Sequence, residues 1–337
     1  MSVLVTGAAG FIGSHLAHHL LEAGRSVVGI DNLSPYYDVT LKRARLERLQ
    51  GYGNFTPLTF DLCDADQLAR CMSEHEFDAV LHMAAQPGVR YSLDAPEVYV
   101  QSNLVAFANL LEACRHHPPG HLIYASSSSI YGANTRLPSS EHGPADHPLT
   151  IYAATKRANE LMAHSYSHLF SIPMTGLRFF TVYGEWGRPD MAFFKFTDAI
   201  LNDRPIQLYN EGRMSRDFTY VKDVAEAVVR LIDHVPAADP EWDAKSPDPA
   251  SSGVAPHRVF NVGNASPVPL MTYIELLQQA LGKRAHIELA PMQPGEVVDT
   301  FADTQDLSTL IDFAPSTPIE TGLANFVTWY KDFYGIA

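Results

Sequence analysis

Val3-Leu4-Val5-Thr6-Gly7-Ala8-Ala9-Gly10-Phe11-Ile12-Gly13 is the stretch on which the fold turns. A short β-branched run passes through a glycine-rich turn into an apolar pattern of helical period, Ile12 to Glu22. A second short run, Val27 to Ile30, closes a βαβ unit within about thirty residues. Gly7, Gly10 and Gly13 suit a tight turn, close approach of the backbone to a pyrophosphate, and close helix-on-strand contact. Amides at the start of the following helix then face an anion. Asp31 closes the second run, 18 residues after Gly13, where a carboxylate can accept both hydroxyls of an adenosine ribose. The same carboxylate repels a 2′-phosphate, and no Arg follows at once to attract one, so NAD is expected rather than NADP.

Working outward, the rhythm repeats through Phe55 to Phe60, a helix near 65–74, Ala79 to His82, a long helix near 97–116, and Leu122 to Ala125. Helix 151–169 and strand Met174 to Phe179 complete it. Alternation of this kind implies an α/β fold with a doubly wound parallel sheet of Rossmann type, covered on both faces. After about Thr181 short strands mix with helices near 193–201, 224–233, 270–281 and 321–333. Residues 1–180 therefore read as a dinucleotide-binding domain. Residues 181–337 read as a smaller mixed α/β substrate domain, some of whose elements return to the first. Between Pro236 and Pro256 the composition turns to Pro, Asp, Ala and Ser, which reads as a mobile surface loop.

Of the 337 residues, 24 are Lys or Arg and 38 Asp or Glu, a formal charge of −14. Such a surface repels nucleic acid and anionic lipid, and neither is expected as a partner. The densest basic cluster, Lys42-Arg43-Ala44-Arg45, reads as a solvated helix face. Cys63, Cys71 and Cys114 show no CxxC spacing, which suits free thiols in a reducing, cytoplasmic setting. No basic leader opens the chain, and no apolar run approaches the roughly 18 to 20 residues of a membrane span. The helical pairs His15/His19 and His164/His168 lack a third ligand, so no metal is expected.

Tyr152 and Lys156 are four apart and share a helix face. An ammonium beside a phenol lowers its pKa toward working pH, as a base for an alcohol proton requires. Alone such a pair is commonplace; Ser127, 25 residues upstream at a strand end, could hydrogen-bond the same substrate oxygen.

With Ala125-Ser126-Ser127-Ser128-Ser129-Ile130-Tyr131-Gly132 and Tyr152 to Lys156 added to the Thr6 to Gly13 stretch, the chain resembles the extended short-chain dehydrogenase/reductase family, specifically its nucleotide-sugar epimerases. Asp31-Asn32, Tyr36-Tyr37-Asp38, His82 to Gln86, Val89 to Ser92, and Arg178 to Gly184 with Trp186 to Asp190 make it similar to those acting on UDP-glucuronate. Glu185 departs from the Pro expected there. The resemblance implies C4 epimerisation of a UDP-sugar acid through a 4-keto sugar, with tightly held NAD, in a homodimer paired through helices 97–116 and 151–169. Implied cofactor contacts are Gly7, Gly10, Phe11, Ile12, Gly13, Asp31, Asn32, Asp61, Leu62, Ala84, Ala85, Asn103, Tyr152 and Lys156.

Implied substrate contacts are Pro87, Arg90, Ser127, Ser128, Ser129, Thr181, Arg188, Gln207, Tyr209 and Arg216. Related dehydratases and decarboxylases carry acids at the positions of Ser128 and Ser129; hydroxyls here imply that the carboxylate is held and neither elimination nor decarboxylation assisted. Ser126 reads equally as a turn residue. Where related epimerases often carry another phosphate-binding Arg, the chain has Met292-Gln293-Pro294-Gly295-Glu296. UDP-galactose 4-epimerisation and non-catalytic NAD binding are the competing readings.

Overall fold

Alternating strands and helices build the sheet that positions the cleft. In the computed structural model, which describes residues 1–293 and 295–336, the first six strands are β1 (Ser2–Thr6), β2 (Ser26–Ile30), β3 (Phe55–Leu58), β4 (Ala79–His82), β5 (His121–Ser127) and β6 (Met174–Phe179). The later strands are β7 (Thr181–Tyr183), β8 (Ile206–Leu208), β9 (Ser215–Tyr220), β10 (His257–Val262), β11 (Pro267–Pro269) and β12 (Ile287–Leu289). Seven form one sheet in the order β10-β6-β5-β4-β1-β2-β3, and every pairing is parallel. The order reverses between β1 and β4, so loops after these two strands diverge and leave a crevice at their carboxyl ends.

Val3 and Val5 enter one apolar layer and Leu4 the other, as a strand buried on both faces must. The layer around Val3 is also filled by helices Phe11–Glu22, Val221–Leu231 and Ile319–Tyr334, the last two from the second half of the chain. β10 likewise lies in the main sheet beside β6. The remaining late strands form two small sheets, β11-β9-β7 and β12-β8.

Two local expectations need correction. The expected long helix near 97–116 is Pro96–Tyr99, a π-helical stretch Val100–Val105, and Ala106–His116. Within the wide turn Asn103 clamps the Gln86 backbone, accepting from its N at 2.7 Å and donating to its O at 3.2 Å. The Pro/Asp-rich segment 236–256 is a surface loop with side-chain contacts to the body of the protein. His142 bridges Asp248 and Asp306, both at 2.9 Å, and the Trp242 indole donates to Asp248 O at 3.2 Å. Partial burial alone would lower the His142 pKa, yet hydrogen bonds and attraction from the two carboxylates raise it. Finally, Lys42 and Arg45 are buried, not solvated, on helix Val39–Gln50.

Cys71 and Cys114 are buried free thiols and Cys63 is half-buried. Among the described residues, no helix is long and apolar enough to cross a membrane.

Candidate active site

The crevice is a cleft of about 850 Å³ running from β3 across the switch point to β6. Its floor is the glycine turn. Gly7 adopts φ +71°, and a Cβ on Gly13 would lie 2.1 Å from Gly7 O, so neither position admits a side chain without moving backbone. Gly7 and Ala8 donate to Ile30 O at 2.7 and 3.1 Å, which anchors the turn to β2 and leaves the first turn of helix Phe11–Glu22 facing the cleft.

Asp31 follows β2, its Oδ2 accepting from Ala9 N at 3.0 Å and its Oδ1 from Leu33 N at 2.8 Å. Each oxygen keeps a lone pair for a ribose hydroxyl. Asn32 donates to Asp61 Oδ2 at 2.8 Å, and Cys63 N to Oδ1 at 2.8 Å. Burial would raise the Asp61 pKa, but these donors hold it below the usual range. Leu62, Ala84 and Ala85 line the adjoining wall. Asn103 does not line the cleft: it braces Gln86 from behind. The sequence reading also missed Lys42, which lines this end with its Nζ 4.6 Å from the Tyr37 ring centroid. The discoverable signal was spacing, because Lys42, Arg45 and Leu49 recur on the buried side of one helix.

At the other end, Ser127 terminates β5, and Tyr152 and Lys156 come from helix Ile151–Phe170, whose start is set by Thr150 capping Ala153 N at 3.2 Å. Ser127 Oγ accepts from Ser129 N at 3.2 Å, and Ser127 lines the cleft with Tyr152. Burial raises the Tyr152 pKa; Ser127 and the Arg188 charge oppose this, and Asp190 reinforces it. Lys156 lines the same end of the cleft. Its Nζ donates to Ala125 O at 2.9 Å, and burial lowers its pKa to about 8. A shared helix face thus delivers both side chains to the cleft. Ser126 is no mere turn residue: it donates to Glu160 at 2.7 Å.

Ser128, Ser129, Thr181 and Pro87 complete this end, with Arg188. Arg188 donates to both oxygens of Asp190, at 3.0 and 2.9 Å. Glu185, in place of the expected Pro, accepts from the Tyr220 hydroxyl at 2.9 and 2.7 Å and pairs with Lys222 at 3.0 Å, so the loop before Arg188 is ordered by its side chain. Its backbone O accepts from His15 Nε2 at 2.9 Å, and burial lowers the His15 pKa to about 3.

Arg90, Gln207, Tyr209 and Arg216 do not line the cleft. Arg90 pairs with Glu296 and lies 4.3 Å from the Tyr209 ring centroid, and Gln207 accepts from the Tyr209 hydroxyl at 3.1 Å. Arg216 donates to Ser215 O, Val297 O and Val298 O at 2.7 to 2.8 Å. The acid at Glu296 draws Arg90 onto the stretch that contains it; Pro294 of that stretch lies outside the described residues.

A sequence profile described as the NAD dependent epimerase/dehydratase family matches residues 3–244. The chain belongs to this family. Among epimerases, it is 50% identical to a probable UDP-glucuronate 4-epimerase of Rhizobium meliloti, over 99% of this chain and 98% of that one. It is 43% identical to UDP-glucuronate 4-epimerase 1 of Arabidopsis thaliana, over 99% of this chain and 78% of the other. The UDP-glucuronic acid 4-epimerase of Bacillus cereus, solved with UDP-glucuronic acid and NAD, superposes with a TM-score of 0.87 at 34% identity, covering 99% and 100% of the two chains. In this epimerase, the Gly7/Gly13 cradle, the free helix-start amides and the fixed Asp31 carboxylate fit NAD.

Proposed function

We infer that the protein interconverts UDP-glucuronate and UDP-galacturonate by C4 epimerisation, with NAD held at the glycine turn, Asp31 and Lys156. The carrying observation is the distribution of acids. The carboxylates lining the cleft, Asp31 and Asp61, both belong to the β2/β3 end, whereas Ser127, Ser128, Ser129 and Thr181 bring hydroxyls to the cleft with Tyr152, and Asp190, behind the lining, is paired with Arg188. Bound NAD supplies the hydride acceptor and, once reduced, the donor, so no net oxidation results.

Tyr152 takes the proton from the sugar 4-oxygen and later restores it, and Ser127 orients that oxygen. The 4-keto sugar is a β-keto acid, which loses carbon dioxide when its carboxylate turns perpendicular to the ketone or is assisted by an acid. Ser128, Ser129 and Thr181 hold the carboxylate with neutral donors, and Arg188 lies beside them. Arg90, Arg216, Gln207 and Tyr209 are proposed to hold the UDP portion, with Arg90 leaving Glu296.

Purified protein given UDP-glucuronate without added NAD should form UDP-galacturonate and no UDP-pentose. Activity confined to UDP-glucose would favour the neutral-sugar alternative, and inertness toward every UDP-sugar a non-catalytic role.

The subunits are proposed to pair through helices Ala106–His116 and Ile151–Phe170, which lie together through a 2.6 Å Tyr166–Glu112 hydrogen bond, the second exposing Leu161 and Leu169. Free thiols suit a cytoplasmic, reducing setting.

A further inference from the structure

Arg45 lies outside the cleft lining and is 1% exposed. All five of its N–H groups are used. Nη1 donates to Ala9 O at 2.9 Å and to the Tyr37 hydroxyl at 2.7 Å. Nε donates to Trp186 O at 3.1 Å; Nη2 donates to Trp186 O at 2.6 Å and Gly187 O at 2.9 Å. Every acceptor is a carbonyl or a hydroxyl. A buried guanidinium without a carboxylate among its acceptors is costly to retain for stability alone.

What it joins is specific. Ala9 belongs to the glycine turn, and its own N is held by Asp31. Trp186 and Gly187 immediately precede Arg188, whose charge acts on Tyr152. Trp186 has φ +58°, a conformation that persists in a bulky residue only where surrounding contacts impose it. Arg45 imposes it with two N–H groups on the Trp186 carbonyl, and the Arg48 guanidinium, 5.8 Å from the Trp186 ring centroid, braces the side chain.

We propose that Arg45 is a positioning residue that couples the NAD-binding turn to the loop carrying Arg188, so that cofactor binding orders the site for the acidic sugar. Lysine keeps the charge but offers three donors from one point, too few and too compact to span Ala9, Tyr37 and the 186–187 carbonyls. The role in sugar binding rests on the proposed epimerase reaction; the coupling itself does not.

The test is hydrogen exchange of residues 184–190 in the full chain, with and without NAD. In the unaltered protein, NAD should slow exchange there by about 10-fold, within the usual range of coupling between sites. In Arg45→Lys that protection should vanish while protection of residues 7–14 persists. Tyr37→Phe, which removes one acceptor and spares the fold, should reduce it partially. Undiminished NAD protection of 184–190 in Arg45→Lys would overturn the proposal. In the second arm, KM for UDP-glucuronate should rise about 10-fold in Arg45→Lys and the acid limb of its kcat/KM profile should move to higher pH, because a displaced Arg188 no longer favours the Tyr152 phenolate, a shift that general destabilisation would not give. An unaltered protein that makes no UDP-galacturonate would sink the epimerase reading alone, and the exchange result would still stand or fall.

Discussion

Tyr152 is the proposed base, and its burial works against that role. The groups that favour its phenolate are Ser127, by a hydrogen bond, and Arg188, by charge. Removing the Ser127 hydroxyl therefore raises the Tyr152 pKa, and the acid limb of the kcat/KM profile of Ser127→Ala should move to higher pH. Its kcat should fall on the order of 10²-fold, as on removal of one preorganised donor. An unmoved acid limb would place the ionising base elsewhere. Tyr152, Lys156 and Ser127 were legible from spacing because a helix face and a strand end are local properties. The influence of Arg188 was not, since it depends on how a loop 36 residues beyond Tyr152 packs. Burial of Lys42 and Arg45 was hidden for a related reason: a basic cluster reads as solvated until the carbonyls that receive it are known.

At the scale of elements, helix Ile151–Phe170 does more than present the two proposed catalytic groups. Glu160, one turn beyond Lys156, takes Arg178 at 2.9 and 3.0 Å, Arg157 at 2.9 Å and Ser126 at 2.7 Å. Burial would raise its pKa, but these partners, led by Arg178, lower it and keep the carboxylate ionised. The network ties the helix to the ends of β5 and β6, and so sets Ser127 against Tyr152. Glu160→Ala leaves Arg178 buried without its counter-charge and should cost about 3 to 5 kcal/mol in denaturant unfolding. A loss under about 1 kcal/mol would show that the arginines find other partners. The helix itself was legible in the 3.6-residue pattern, whereas the π-helical turn at Val100–Val105 was not. It is stabilised by Asn103 reaching Gln86, a contact 17 residues back in sequence.

For the whole molecule, the apolar side chains left exposed on helix Ile151–Phe170, Leu161 and Leu169 among them, have a direct consequence. Light scattering at micromolar concentration should give twice the chain mass, and Leu161→Glu combined with Leu169→Glu should give the monomer. A monomer from the unaltered chain would contradict the proposed pairing. The charge of −14 still disfavours large polyanions, yet the cleft is lined by the glycine turn, Lys42 and Arg188, groups that act at hydrogen-bond range, inside the roughly 8 to 10 Å over which salt screens the rest. By itself the sequence determined the parallel sheet, the glycine turn with Asp31, and the Ser127, Tyr152 and Lys156 set, because each is encoded in a local period or in a turn that only glycine permits. Only the tertiary structure decided which charges serve the site. It buried Arg45 between two loops 177 residues apart, held Arg90 on Glu296, and placed Asn103 behind the wall. A charged side chain lies where distant backbone acceptors satisfy it, and no local pattern records that.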